Sequence, residues 1–342
     1  RATQLQKLAS WRGTDRQCPQ GPADAQKDGD ICAAAQQKSA AAEDLEAKTA
    51  MRSFLRRFSS QASRKLHILQ LGELAPMPML LLEEALLRCA SDNFLVLVRG
   101  TAPATVVLGI AGKPRKMCNL DIVAARDAKL LKRFSGGGTV VVDDSCFFAS
   151  WIVNTDFAPC KAFPKDIMRY TGPIYADVLN RLQASARGDD GVLVENDYVV
   201  GDRKFGGNAQ SITSGRWLHH TSFLFEIKPE NMELLALPEK RPEYRADRSH
   251  LDFLVGLGEL GIGMDAFEES VIQTATDLAD EAVMGEDAKA RVQDLVASSG
   301  GWEEVMRLAK PRSRFVDQDS SPILGDTTVS DAIAEIESAF RR

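Results

Sequence analysis

Nine residues constrain this chain more than any others: Arg133-Phe134-Ser135-Gly136-Gly137-Gly138-Thr139-Val140-Val141. Three consecutive glycines stand between a charged residue and a β-branched run. Glycine has no Cβ, so a ligand can lie directly against its backbone and the chain can take positive φ. Exposed N–H groups in such a turn make an anion-binding concavity. The loop is not a P-loop, because no Gly-Lys-Ser/Thr follows, and it is not the dinucleotide pattern, because a strand follows rather than a helix. Read alone, it is also compatible with a glycine hairpin or bulge.

A second unusual stretch runs from Glu195 to Gln210: Glu-Asn-Asp-Tyr-Val-Val-Gly-Asp-Arg-Lys-Phe-Gly-Gly-Asn-Ala-Gln. Its lysine, Lys204, follows a strand-like segment and precedes a glycine pair, where a backbone must approach something closely. A lysine held there can pair with a phosphate and a carboxylate together. Read alone, it is equally a solvated surface lysine. Asn196-Asp197 reads either as a turn or as a magnesium and phosphate contact. His219 and His220 are consecutive on a strand-like run, so only one of them faces a given side.

The remaining composition excludes several classes. The formal net charge of −6 argues against broad nucleic-acid binding. The six cysteines show no metal spacing and only four histidines are present, which leaves little for a zinc site. The cysteines read as reduced thiols, with Cys146 and Cys160 as small core residues. No apolar run reaches the length that crosses a bilayer, so no membrane partner is expected.

Residues 1–50 are rich in Ala, Gln, Asp and Lys and lack a hydrophobic period, so they are expected to be disordered. Residues 51–65, from Met51 to Lys65, are rich in Arg and Ser and lack acids. That is the composition of an organelle transit peptide, and the dense arginine points to the mitochondrion ahead of the plastid. Folded structure is expected from Leu66. Leu80–Ala90 reads as a helix with Glu83, Glu84 and Arg88 at polar positions. Phe94–Arg99 and Thr105–Ile110 read as strands, and Leu120–Leu131 as a helix. Thr139–Val142 and Phe147–Val153 read as two strands joined through Asp143 and Asp144. A long helix is expected over Asp166–Ala184, then strands over Tyr198–Lys204 and Trp217–Ile227. This order predicts an α+β fold on a mainly antiparallel sheet flanked by helices. Beyond Leu251 the pattern turns helical. Asp265 and Glu268 read as a capping pair, and Pro311–Pro322 as loop. The expected organisation is an N-terminal extension over 1–64, a catalytic domain over 65–250 and a helical C-terminal tail over 251–342 packed on it.

Several segments, in this order, carry a resemblance. They are Leu82-Glu83-Glu84-Ala85-Leu86-Leu87-Arg88; Arg99 with Thr105-Val106-Val107-Leu108-Gly109; Pro114–Asn119; the triple-glycine loop; Asn196-Asp197 with Asp202-Arg203-Lys204 and Gly207-x-Ala209; and Leu218-His219-His220-x-Ser222. Over about Leu66–Ile227 the chain resembles the lipoate–protein ligase family, which is related in fold to biotin protein ligases and class II aminoacyl-tRNA synthetases. The loop matches that family's RxSGGGxV pattern, and the Lys204 block resembles ND…GRKxSGSA.

The resemblance implies activation of lipoate or octanoate with ATP to an acyl-adenylate. Transfer follows to one lysine of a lipoyl domain, either of a 2-oxoacid dehydrogenase E2 subunit or of the glycine-cleavage H protein. It implies Lys204 as the catalytic residue between the acyl carboxylate and the α-phosphate. It implies nucleotide and acyl contacts from Arg133, Ser135, Gly136, Gly137, Gly138, Thr139, Val140 and Val141. Gly207, Ala209 and His220 would line the same site. Asn196 and Asp197 would lie by the phosphates, with Asp197 toward Mg2+. The departures are Val142 where the family has histidine, Asn208 and Gly206 where it has serines, and Ile110 where it has arginine. No C-terminal WxFG-type module is recognisable after Leu251. The nearest rival is an octanoyl or lipoyl transferase, but Gly191–Asn196 contains no cysteine for a thioester. A non-catalytic binding protein of the lipoylation machinery is the rival from another class.

Overall fold

The structure is a computed structural model that describes residues 64–182, 191–237, 242–323 and 329–342. The chain divides into two units, Arg1–Gln61 and Ala62–Arg342. The readings made for residues 1–63, including all but the last two residues of the transit-like segment, lie outside the described residues. The second unit holds two sheets.

Its larger sheet has eight strands. They are β1 (Lys65–Glu73), β2 (Asn93–Arg99), β6 (Cys146–Asn154), β7 (Gly191–Val194), β8 (Asp197–Val200), β9 (Arg203–Ile212), β10 (Arg216–Leu224) and β11 (Glu281–Val283), in the spatial order β11-β1-β2-β6-β10-β9-β8-β7. Only β11–β1 and β1–β2 pair in parallel; the other neighbours are antiparallel. A smaller sheet orders β12 (Arg314–Phe315), β4 (Lys129–Lys132), β3 (Thr105–Leu108) and β5 (Val140–Val142). The fold is therefore α+β with an antiparallel-dominated sheet, as the pattern predicts.

Alternation along the central strands splits the core in two. Leu95, Leu97, Phe147, Ala149 and Trp151 face helices α2 (Pro164–Arg181) and α3 (Met264–Leu278), meeting Ile167, Val178, Phe267 and Val271. Their neighbours Phe94, Val96, Phe148 and Ile152 face helix α1 (Pro76–Cys89). Behind α1 lie α4 (Gly285–Ser299), α5 (Trp302–Ala309) and α6 (Val329–Arg341), which contribute Val292, Val305, Ile333 and Phe340 to the same cluster. Helix α1 is thus covered on nearly every side. Its residues Pro76 through Leu87 are all buried.

That burial corrects the reading of Glu83 and Glu84 as polar-face residues, for they are 1% and 0% exposed. Glu84 has donors on both oxygens, whereas Glu83 is held through Oε1 and its Oε2 has no partner among the described residues. Glu84 accepts the backbone N–H of Arg312 and of Ser313, and pairs with Arg88 at 3.0 Å. Glu83 accepts from Ser150 and lies 2.7 Å from His220.

Further readings are corrected. Leu120–Leu131 is a short helix, Leu120–Ala125, followed by β4; Asp127 at φ 49° turns the chain out of the helix. Strands β5 and β6 are both present and joined through Asp143 and Asp144, as expected, but they take different neighbours: β5 joins β3, while β6 sits between β2 and β10. The turn between them is held by Asp143, whose carboxylate accepts from Ser145 and Asn231. Asp265 and Glu268 do not cap α3. Its N-cap is Gly263, and both carboxylates instead grip Arg99, at 2.7 and 2.5 Å. The C-terminal segment is helical, as expected, but also lends β11 to one sheet and β12, inside the expected Pro311–Pro322 loop, to the other. Cys146 is buried, whereas Cys160 is only half-buried.

Candidate active site

The β8–β9 hairpin turns through Gly201 (φ +60°) and Asp202, and its register slips between Tyr198 and Val199. Tyr198 faces Gly206 while Val199 faces Lys204, so Phe205 is an extra residue. Such a bulge re-aims a side chain. Here it lays Lys204 across Gly207, where a Cβ would stand 2.9 Å from the ammonium nitrogen. A side chain at Gly207 would push the Lys204 ammonium aside. The ammonium ends 2.9 Å from Asp197 Oδ1. The other oxygen, Oδ2, accepts the hydroxyl of Tyr244 at 2.8 Å.

The triple-glycine loop stands opposite. Gly136 N–H donates to the Gln210 carbonyl at 3.1 Å, which ties the loop to β9. Gly137 takes φ +123°, and a Cβ there would meet Arg133 Nη2 at 2.6 Å and the Asn208 carbonyl at 3.0 Å. Gly136 and Gly138 have open space where a Cβ would point. Arg133 is buried beneath the loop. It donates through Nη2 to the carbonyls of Gly138 (2.7 Å) and Gly136 (3.3 Å), and through Nη1 to Val107 (3.4 Å). Burial lowers its pKa to about 10, with Glu83 opposing that shift. The guanidinium is thus the internal brace of the loop.

Between hairpin and loop lies a cavity of about 800 Å³. An apolar wall includes Met79, Leu80, Val107 and Phe148; a polar wall includes Asn196, Asp197 and Lys204. The cavity brings together Arg133, Gly136, Gly137, Gly138, Thr139, Val140, Val141, Gly207, Ala209 and His220 as well. Among the residues named from the sequence, Ser135 is the exception. It is buried behind the loop, its carbonyl accepting the N–H of Ile110. Asn208, which departs from the family pattern, ties Asn196 to Thr221, donating to the Asn196 carbonyl at 3.0 Å and accepting from Thr221 at 2.7 Å.

The two histidines separate as strand alternation requires. His220 reaches the cavity, with Nδ1 beside Glu83 and Ser150. His219 is turned into the opposite core among Thr171, Tyr198 and Gln210, where burial, reinforced by His220, lowers its pKa to about 3.

Sequence reasoning missed one whole wall. Residues 242–255 pass over the hairpin and are fixed to it at several points. Glu243 N–H donates to Glu195, Arg248 to Asp202, and Val255 N–H to the Lys204 carbonyl. Pro242, Arg245, His250, Phe253 and Leu254 of this segment line the cavity. No local pattern marks Tyr244, since its partner Asp197 is distant in sequence. Glu83 was detectable only through the acidic pair in α1.

The lipoyl protein ligase A/B catalytic-domain model matches residues 76–276. The chain belongs to that family. Among curated relatives of this lipoyl ligase family member, "Inactive lipoate–protein ligase 2" of Plasmodium falciparum is 27% identical over 177 residues, covering 44% of this chain and 46% of the relative. Lipoate-protein ligase A of Blochmanniella floridana is 29% identical over 166 residues, covering 47% and 45%. The chain thus spans less than half the length of these two relatives. Among solved structures, P. falciparum LipL1 in complex with lipoate superposes with a TM-score of 0.52 at 16% identity, over 72% of this chain and 71% of that one. A lipoate-protein ligase A bound with ATP gives 0.50 at 17% identity, over 72% and 100%. A bi-partite lipoate protein ligase of Thermoplasma acidophilum, solved with its E2 lipoyl domain, gives 0.50 at 18%, over 72% and 98%. These likenesses establish the shared fold.

Proposed function

We propose that this chain is an ATP-dependent lipoate–protein ligase. It joins lipoate, or octanoate, to AMP and passes the acyl group to one lysine of a lipoyl domain, on a 2-oxoacid dehydrogenase E2 subunit or the glycine-cleavage H protein. One observation carries the reading: the Lys204 ammonium lies across Gly207 into a cavity whose facing wall is the triple-glycine loop. The relatives' bound ATP and lipoate support it.

In the first step a carboxylate oxygen of the acid attacks the α-phosphorus, and pyrophosphate leaves with the electrons of the broken P–O bond. Lys204 balances the charge that gathers between the two anions. Gly136 and Gly138, with nothing where their Cβ atoms would be, let the ligand lie on the backbone. In the second step the acceptor amine attacks the acyl carbonyl, AMP departs with the electrons of the C–O bond, and the amine sheds a proton. No side-chain nucleophile is needed, since the adenylate is already activated.

Magnesium, when bound, neutralises phosphate charge, and Asp197 is the residue to hold it. Both Asp197 oxygens already have protein partners, and no group of three or more metal-type ligands gathers among the described residues. That suits a magnesium ion taking most of its ligands from phosphates and water.

A thioester route is disfavoured. Among the described cysteines none lines the cavity, and burial raises the Cys118 and Cys160 thiols to about 11 and Cys146 to about 12. The relative named inactive favours a second reading, transfer from preformed lipoyl-AMP or non-catalytic binding. The basic, acid-free run 51–65 supports a mitochondrial site of action.

Intact-mass spectrometry of an apo lipoyl domain tests the proposal. The full chain, lipoate, magnesium and ATP should add one lipoyl group, and omission of ATP should prevent it. Modification from lipoyl-AMP alone would replace the ligase reading with transfer, and no modification from either donor would leave binding.

A further inference from the structure

Tyr244 has no place in the family pattern, yet it holds the second oxygen of the carboxylate that pairs with Lys204. We infer that Tyr244 is a positioning residue that lets Lys204 leave Asp197 for the ligand's phosphate. The inference rests on the adenylate chemistry proposed above.

Asp197 is 8% exposed, and its carboxylate is divided between Lys204 and Tyr244. When Lys204 turns to a phosphate before magnesium is bound, Asp197 loses its cation. A buried carboxylate left without a partner is costly. The Tyr244 hydroxyl stays on Oδ2 and keeps it hydrogen-bonded through the exchange.

Tyr244 is itself anchored so that it can do this. Arg248 donates to its carbonyl at 2.8 Å and to Asp202, in the hairpin turn, at 2.8 Å. Its ring packs on Phe253, 5.3 Å between centroids. The neighbouring Glu243 N–H is fixed on Glu195 at 2.9 Å. Tyr244 therefore moves with the hairpin that carries Asp197 and Lys204.

The experiment is a double-mutant cycle of Tyr244→Phe and Asp197→Asn. It reads the affinity of the full chain for a non-hydrolysable sulfamoyl analogue of lipoyl-AMP, measured by calorimetry without magnesium. A hydrogen bond to a charged group is worth about 1.5–3 kcal/mol, and only the part of it gained when Lys204 leaves bears on affinity, so Tyr244→Phe should weaken the analogue by up to about ten-fold. In the Asp197→Asn background no carboxylate competes for Lys204, and the same change should have no effect. For adenylation, followed by ATP–pyrophosphate exchange, Tyr244→Phe should lower kcat about ten-fold while lipoate KM stays within about two-fold. Equal losses in both backgrounds, or no loss in either, would overturn the inference. A wild-type chain without exchange activity would refute the ligase reading and leave the binding cycle to decide on Tyr244.

Discussion

The hydroxyl of Ser313 accepts the backbone N–H of Phe134 at 3.2 Å, while the backbone N–H of Ser313 donates to Glu84 at 2.8 Å. A residue near the C-terminus thus stands between the acidic pair of α1 and the root of the glycine loop. Ser313→Ala should cost about 1 kcal/mol and raise the KM for lipoate, because the loop loses its rear support. Glu84→Ala removes the partner of two backbone donors and of Arg88 together. It should cost about 3 kcal/mol or more. Urea denaturation measures both. A Glu84 variant as stable as wild type would show that the link is incidental.

Lys204→Ala should reduce adenylate formation by a factor of about a hundred or more, the usual loss when a charge-stabilising group is removed. The circular-dichroism spectrum should be unchanged, since Lys204 is partly exposed and holds no core contact. Pyrophosphate exchange at saturating lipoate is the decisive assay. A rate near wild type would remove Lys204 from the reaction centre.

The three glycines are not equivalent. At Gly137 a methyl group meets Arg133 and Asn208 at positive φ, so Gly137→Ala should cost about 1–3 kcal/mol in stability. At Gly136 a methyl group meets nothing in the protein. Gly136→Ala should melt like wild type and fail only in ligand affinity. Paired thermal melts and calorimetric titrations would separate the two, and equal destabilisation would contradict the geometry.

Acid should weaken the fold early. Burial lowers the pKa of His67, of His219 to about 3, and of His250 to about 4, where Arg245 and Lys204 add to the effect. The unfolded chain takes up protons near pH 6.5, whereas these folded sites resist them. Stability is therefore full above about pH 6.5 and falls as pH drops toward the folded values, by about 1.4 kcal/mol per pH unit for each histidine fully in that window. Urea midpoints between pH 7.5 and 5, where most carboxylates remain ionised, isolate the effect. The slope should be shallower in His219→Gln; an unchanged slope would exonerate His219.

The parts that were legible in the sequence are those where chemistry and local pattern coincide. Strand-like apolar and β-branched runs marked β2, β6 and β10, and the 3.6-residue period marked α2 and α3. The glycine loop and the Lys204 block advertised themselves by composition. What escaped notice depends on partners far away in the chain. Glu83 and Glu84 looked like surface acids because nothing local reveals that α5 and α6 bury α1 from behind. Asp265 and Glu268 had the spacing of a cap, yet Arg99 on a distant strand claims both. The bulge at Phe205, which aims Lys204, leaves no trace in a pattern read at period two. Strap residues such as Tyr244 are set by contact with the hairpin and by no motif of their own.

Strand β12 pairs with β4, and Ser313 lies just before it. On the ribosome, the central strands through β10 are made long before either. A nascent chain can therefore assemble most of its large sheet while the glycine cradle still lacks its last strand and its rear support. Competence to bind therefore waits until Ser313 and β12 have been made, and a chain cut short before Ser313 would keep every signature motif and still lack a finished cradle.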